Sequence, residues 1–179
     1  MQAIGAQSLE HVDHGLHPGR QRSSRSFRDK PVALRTLLNQ TDRALILERL
    51  RQLTPGARAA WGTLDAPRML CHVADQLRVA LGDMPTRPVH TWASRTLLKF
   101  LVVNTGIKSP RGKIMTAPEM LVSQPTTWDE DLSACVDLSE RVGRGIANAV
   151  HPTFGPLSPQ EWGRLSWKHL DHHLVQFGV

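Results

Sequence analysis

The sequence predicts an all-α fold: a four-helix bundle with a long irregular and helical insertion between its second and third helices. Three observations predict it. Apolar residues recur at helical spacing in four separated segments, each segment opens on a residue able to cap orphan amides, and no segment alternates apolar with polar residues as a half-buried strand does.

The first helix starts at Thr41, whose hydroxyl suits the N-cap, and carries Leu45, Leu47, Leu50 and Leu53 until Pro55-Gly56 ends it. The second spans about Ala66 to Leu81, with Asp65 as N-cap, Pro67 in the first turn, and Gly82 and Pro85 as stops. A shorter helix over Trp92–Val103 follows, then a loop rich in Pro, Gly, Lys and Thr through Ser109–Pro125. A connection as long as 83–125 usually carries function or a partner surface. Thr127 and Glu130 have capping-box spacing and open the third bundle helix, which runs to about Val150; Gly143 and Gly145 weaken its second half. In the last helix Ser158 caps, Pro159 takes the first position and Glu161 completes the box, and the helix continues to Val179.

Residues 1–33 mix Gly, Ser, Arg, His and Gln without aliphatic periodicity, so they cannot bury enough surface to offset the entropy of ordering. They are expected to be a disordered N-terminal extension, with one domain over 34–179. Half of the net charge of +6 falls in residues 1–35, and so mild a split excess lacks the dense basic face that nucleic acid requires. Nucleic acid is therefore not an expected partner. The two cysteines, Cys71 and Cys135, lie in apolar helical segments and do not suggest a disulfide framework. No run approaches the roughly 20 apolar residues that span a bilayer, and the start lacks the apolar centre of a secretory signal. A cytoplasmic, reduced setting without membrane association is the expectation.

The chemistry is concentrated in histidines. Along the last helix Trp162, Leu165, His169, His173 and Gln176 fall on one stripe, the stripe that faces a core. An i, i+4 pair of imidazoles can share one metal ion, and a third ligand must come from a facing helix. His72 is the candidate, on an inward stripe with Met69, Val73 and Gln76. Three nitrogens with open positions describe a reactive site. A lone buried histidine is more often a hydrogen-bonded core residue, and only the combination of pair and facing residue favours metal. His172, Gln76 and Gln176 are candidates to orient a ligand or a substrate, although a solvated histidine explains the first equally well and backbone-bonded amides explain the other two better. Cys71 points about 100° away from His72 and reads as a packed thiol. Trp61, Trp162 and Trp167 read as anchors at the core and its rim.

The chain resembles the DinB-like (YfiT-like) superfamily of bacterial four-helix bundles with a His, His-x-x-x-His metal site, and within it the family catalogued as domain of unknown function 1569. The resemblance rests on Arg35-Thr36-Leu37-Leu38-Asn39, on Trp61 through Met69-Leu70-Cys71-His72-Val73-Ala74-Asp75, and on Thr116-Ala117-Pro118-Glu119-Met120. It continues through His151-Pro152-Thr153-Phe154-Gly155-Pro156-Leu157-Ser158 and Glu161-Trp162 to His169-Leu170-Asp171-His172-His173-Leu174-Val175-Gln176-Phe177-Gly178. It implies a divalent ion, zinc or nickel first and iron or manganese after them. It also implies chemistry on a small molecule, such as transfer of a thiol to an electrophile or hydrolysis, and, since related bundles often pair, a homodimer. No catalytic residue is assigned. The competing expectation is a non-catalytic, metal-stabilised binding or stress-response module.

Overall fold

The computed structural model describes residues 34–107, 118–146 and 149–179. The expected extension, residues 1–33, lies outside them. Among the described residues the chain is mainly helical: α1 (Gln40–Gln52), α2 (Ala66–Leu81), α3 (Lys99–Val103), α4 (Trp128–Arg144) and α5 (Pro159–Gln176). A π-helical turn, Ser94–Leu98, leads into α3, and a short 3-10 turn covers Pro118–Leu121. Of the four long helices, α1 and α2 each pack against both α4 and α5. Leu37, Ile46, Leu50, Leu70, Leu77 and Leu174 form the heart of this core.

Capping chemistry fixes the helix starts. Asp65 accepts from the Arg68 amide at 2.8 Å, and both expected boxes form, Thr127 with Glu130 and Ser158 with Glu161. Gly82 closes α2 in the left-handed region at φ 78°, where a side chain is strained. In α1 the cap is Asn39 and not Thr41: its side chain accepts from the Asp42 amide at 3.0 Å, and asparagine is the stronger cap. The helix therefore starts earlier. Ile46, Leu47 and Leu50 face the core, while Leu45 turns outward at 44 % exposure.

Two further expectations are corrected. The helix from Thr127 stops at Arg144 and not near Val150, at the glycines that weaken it; α5 stops at Gln176, short of Val179. After α4 the chain forms a two-residue antiparallel hairpin, β1 (Val150–His151) with β2 (Gly155–Pro156), pairing Val150 with Pro156 and His151 with Gly155. The hairpin supplies Phe154 to a second apolar cluster with Val79, Val103, Met120, Leu157 and Trp162. Lys168 of α5 caps the carbonyl end of α3, donating to Val102 O at 2.5 Å, Thr105 O at 3.1 Å and Ile107 O at 2.8 Å.

Near its start α5 touches the segment before α1, and Gly163 makes that contact close. Its carbonyl accepts from the Leu37 amide at 3.1 Å, and a Cβ there would lie 2.5 Å from Thr36 Oγ1 and 2.8 Å from Leu38 Cγ. Gly163→Ala is expected to destabilise the fold by about 1–3 kcal/mol through overpacking, read as a lower melting temperature. An unchanged melting temperature would contradict this packing.

Candidate metal centre

Three imidazoles meet in the seam between α2 and α5. One ring nitrogen from each of His72, His169 and His173 lies within 4.8 Å of the other two. His72 and His173 are buried and His169 is partly buried. The Nε2 atoms of His72 and His169 stand 2.9 Å apart. Ligands sharing an ion at about 2.0–2.1 Å are separated by roughly 3.0–3.4 Å, so small ring movements suffice to enclose one. The three sequence-predicted ligands are therefore close enough to hold a metal ion.

The far side of two rings is already committed. His72 Nδ1 donates to the Met120 carbonyl at 2.9 Å, because a carbonyl can only accept. His173 Nδ1 donates to Gln176 Oε1 at 2.8 Å, and the Gln176 amide nitrogen donates in turn to the Trp61 carbonyl. Both tautomers are thereby fixed with Nε2 as the lone-pair nitrogen, the arrangement in which outer hydrogen bonds orient metal-ligating histidines. His169 Nε2–H then bridges to the His72 lone pair in the ion-free protein.

Met120 is held in place by Asp75, one turn beyond Cys71 on α2. The fully buried Asp75 carboxylate accepts from Ser123 Oγ at 2.5 Å, the Ser123 amide at 3.1 Å and Arg78 Nη1 at 2.7 Å. It anchors the 118–123 strand of chain across α2. On the other side, Ala60 N donates to Gln176 O at 2.8 Å, so the loop before α2 closes against the end of α5.

The remaining candidates divide. Gln176 orients His173 as described. Gln76 lies one turn beyond His72 and donates from Nε2 to Ser166 Oγ at 3.1 Å, while its buried Oε1 has no hydrogen-bond partner among the described residues. His172 packs its ring edgewise against Trp61 and His173, at centroid distances of 5.9 and 5.2 Å, and does not join the triad. Cys71 stays a free, buried thiol on another face of α2, beside a cavity of about 470 Å³ shared with Arg78, Ser123, Glu130 and Asp131. Burial, and then the charges of Asp131 and Asp75, push its pKa up, which keeps it protonated and poorly nucleophilic. Trp162 and Trp167 are buried anchors whose indoles donate to Ala149 O and Asp42 O, and Trp61 sits at the rim.

No family model, curated protein or solved structure matches the chain.

One histidine escaped the sequence reading as a site residue. His151 on β1 is stacked on Phe154 at 4.5 Å and tilted against Trp162 at 5.3 Å, two turns before His169. Its Nδ1 accepts from the Thr153 and Phe154 amides at 3.1 and 3.2 Å, which fixes the hydrogen on Nε2. An isolated histidine in a His-Pro-Thr-Phe-Gly turn carries no periodicity, so only the turn motif itself could have drawn attention to it.

All these rings favour the neutral state. Burial lowers the pKa of His72; burial, followed by the other histidines, holds His169 well below its ordinary value. Burial takes His173 down to about 3 and His151 to about 4. Unfolded, such imidazoles take up protons near pH 6.5. The unfolded chain therefore binds more protons than the folded one below that pH, and stability present above about pH 6.5 is lost as the pH falls towards 4. Urea titrations of ion-free protein should show a loss of about 3 kcal/mol between pH 7 and 4 from His151 alone. An unfolding midpoint that does not move over this range would contradict the burial of these rings.

Proposed function

We propose that the chain is a DinB-like metal protein in which His72, His169 and His173 hold one divalent ion, zinc or nickel before iron or manganese, for chemistry on a small molecule. The observation that carries the reading is the convergence of three imidazoles from two helices, two of them with the outer nitrogen already tied down. The donor set fits such an ion: three neutral nitrogens with no carboxylate in the group resemble the three-ligand sets of reactive sites more than closed four-ligand structural ones.

An ion with only neutral ligands keeps its full charge and supplies Lewis acidity that lowers the pKa of a thiol or a water molecule. The chain's own residues do the rest. Met120 and Gln176 hold two rings in the tautomer that leaves Nε2 able to coordinate. Gln76 Oε1, buried and unpartnered, is an acceptor for a donor group of a bound small molecule.

Tag-free protein should bind one equivalent of zinc, nickel or cobalt. His72→Ala, His169→Ala and His173→Ala should each remove high-affinity binding, and Gln176→Ala should weaken it about 10–100-fold, measured by competition with a chelating dye. Metal at about 100 times its Kd should add roughly 2.7 kcal/mol of stability. Turnover of low-molecular-weight thiols with model electrophiles should require the ion and fall with His72→Ala. Tight binding with no turnover above free metal would refute the enzymatic reading and leave a metal-stabilised module. Absence of binding would sink both.

A further inference from the structure

The helix inside the insertion turns a large apolar face outward. Trp92 is 81 % exposed, Leu97 66 %, Phe100 57 % and Leu101 38 %, and Val89 and Ile107 extend the patch at either end. The π turn explains how they come to share a face. It places about one additional residue in a turn, which rotates residues 99–103 by about 100° relative to a continuous α-helix. Lys99, Val102 and Val103 thereby fall on the inner side: Val102 and Val103 are buried, and Lys99 Nζ reaches Glu161 Oε1 and Pro156 O, each at 3.0 Å. Arg95 lies against Gly155 of the hairpin. What remains outside is mainly apolar, with Thr91, Arg95 and Thr96 as its polar members, and the Thr96 hydroxyl is already spent on the Trp92 carbonyl at 2.9 Å.

Charge singles out the same segment. Residues 84–118 hold six basic residues, Arg87, Arg95, Lys99, Lys108, Arg111 and Lys113, and no acidic one. Over the whole insertion, 83–125, these six stand against two acidic residues, Asp83 and Glu119, an excess of +4. A second copy docked on this face would bring the exposed Arg87 and Arg95 of both copies together, at a Coulombic cost. A protein partner would find little on the helix face to read besides Arg95. A bilayer needs none: it takes up Trp, Phe and Leu at its interface while anionic headgroups attract Lys and Arg.

We propose that this face docks on the surface of an anionic lipid bilayer, Trp92, Leu97, Phe100 and Leu101 entering the acyl boundary while the exposed Arg87 and Arg95 meet headgroups. No helix among the described residues is long and apolar enough to cross a membrane, so the mode is peripheral. The assignment is independent of the metal site.

The test uses the full chain with phosphatidylcholine vesicles, with and without phosphatidylglycerol, read by co-sedimentation and by quenching of tryptophan fluorescence with brominated acyl chains. Binding should require phosphatidylglycerol and weaken with salt. The double variant Trp92→Ser, Phe100→Ser should lose at least about tenfold in partitioning, together with the quenching. Arg87→Ser and Arg95→Ser should cost about fivefold each on anionic vesicles. Trp92 and Phe100 are exposed, so their double variant should keep the parent melting temperature; wild-type quenching supports or refutes the proposal even if a variant misfolds. Equal binding to pure phosphatidylcholine, no binding to either vesicle, or a solution dimer that Trp92→Ser dissociates would each overturn it.

Discussion

Burying His72, Asp75 and Gln76 on one face-to-face packed helix obliges its surroundings to supply polar partners, because each unpaired group would cost about 1–3 kcal/mol. The response can be followed group by group. Asp75 draws the 118–123 segment across α2 through Ser123, that segment delivers the Met120 carbonyl to His72, and Ser166 of α5 meets Gln76. The insertion is thus tied to the bundle by the same side chains that shape the seam. Of these three residues, Gln76 keeps an oxygen, Oε1, without a partner among the described residues, one helical turn beyond His72.

The triad spans most of the chain. His72 and His169 are 97 residues apart, yet the contact between them is as short as a hydrogen bond. A pair spaced i, i+4 is available wherever α5 forms, but the third nitrogen arrives only when α2 and α5 pack. An ion held by all three would therefore distinguish the packed state from an unpacked one, coupling coordination to folding.

Much of this was legible in the sequence because it depends on local chemistry. The caps at Asp65, Thr127 and Ser158 each follow from a side chain within three residues of the amide it satisfies. The stripe Trp162, Leu165, His169, His173, Gln176 is a consequence of helical period alone, and the structure buries or partly buries every member. Failures came where competition or distance decides. Asn39 outcompetes Thr41 for the α1 cap, and packing against the other helices buries Ile46 while leaving Leu45 outside. The hairpin at 150–156 has strands of two residues, too short to alternate, and is held by His151, stacked on Phe154 and packed on Trp162 of the next helix. Gln176 was a candidate, but its role in linking His173 to Trp61 depends on a loop over a hundred residues earlier in the chain.

The π turn over Ser94–Leu98 makes the outer surface of the insertion a question of chain length more than of composition. Deleting any one of those five residues would restore an unbroken α-helix, carry Phe100 into the place Lys99 holds beside the hairpin, set Leu101 where Phe100 stands and expel Lys99 from Glu161. Substitutions along this stretch change what the surface is made of, whereas a single-codon loss changes which residues form it.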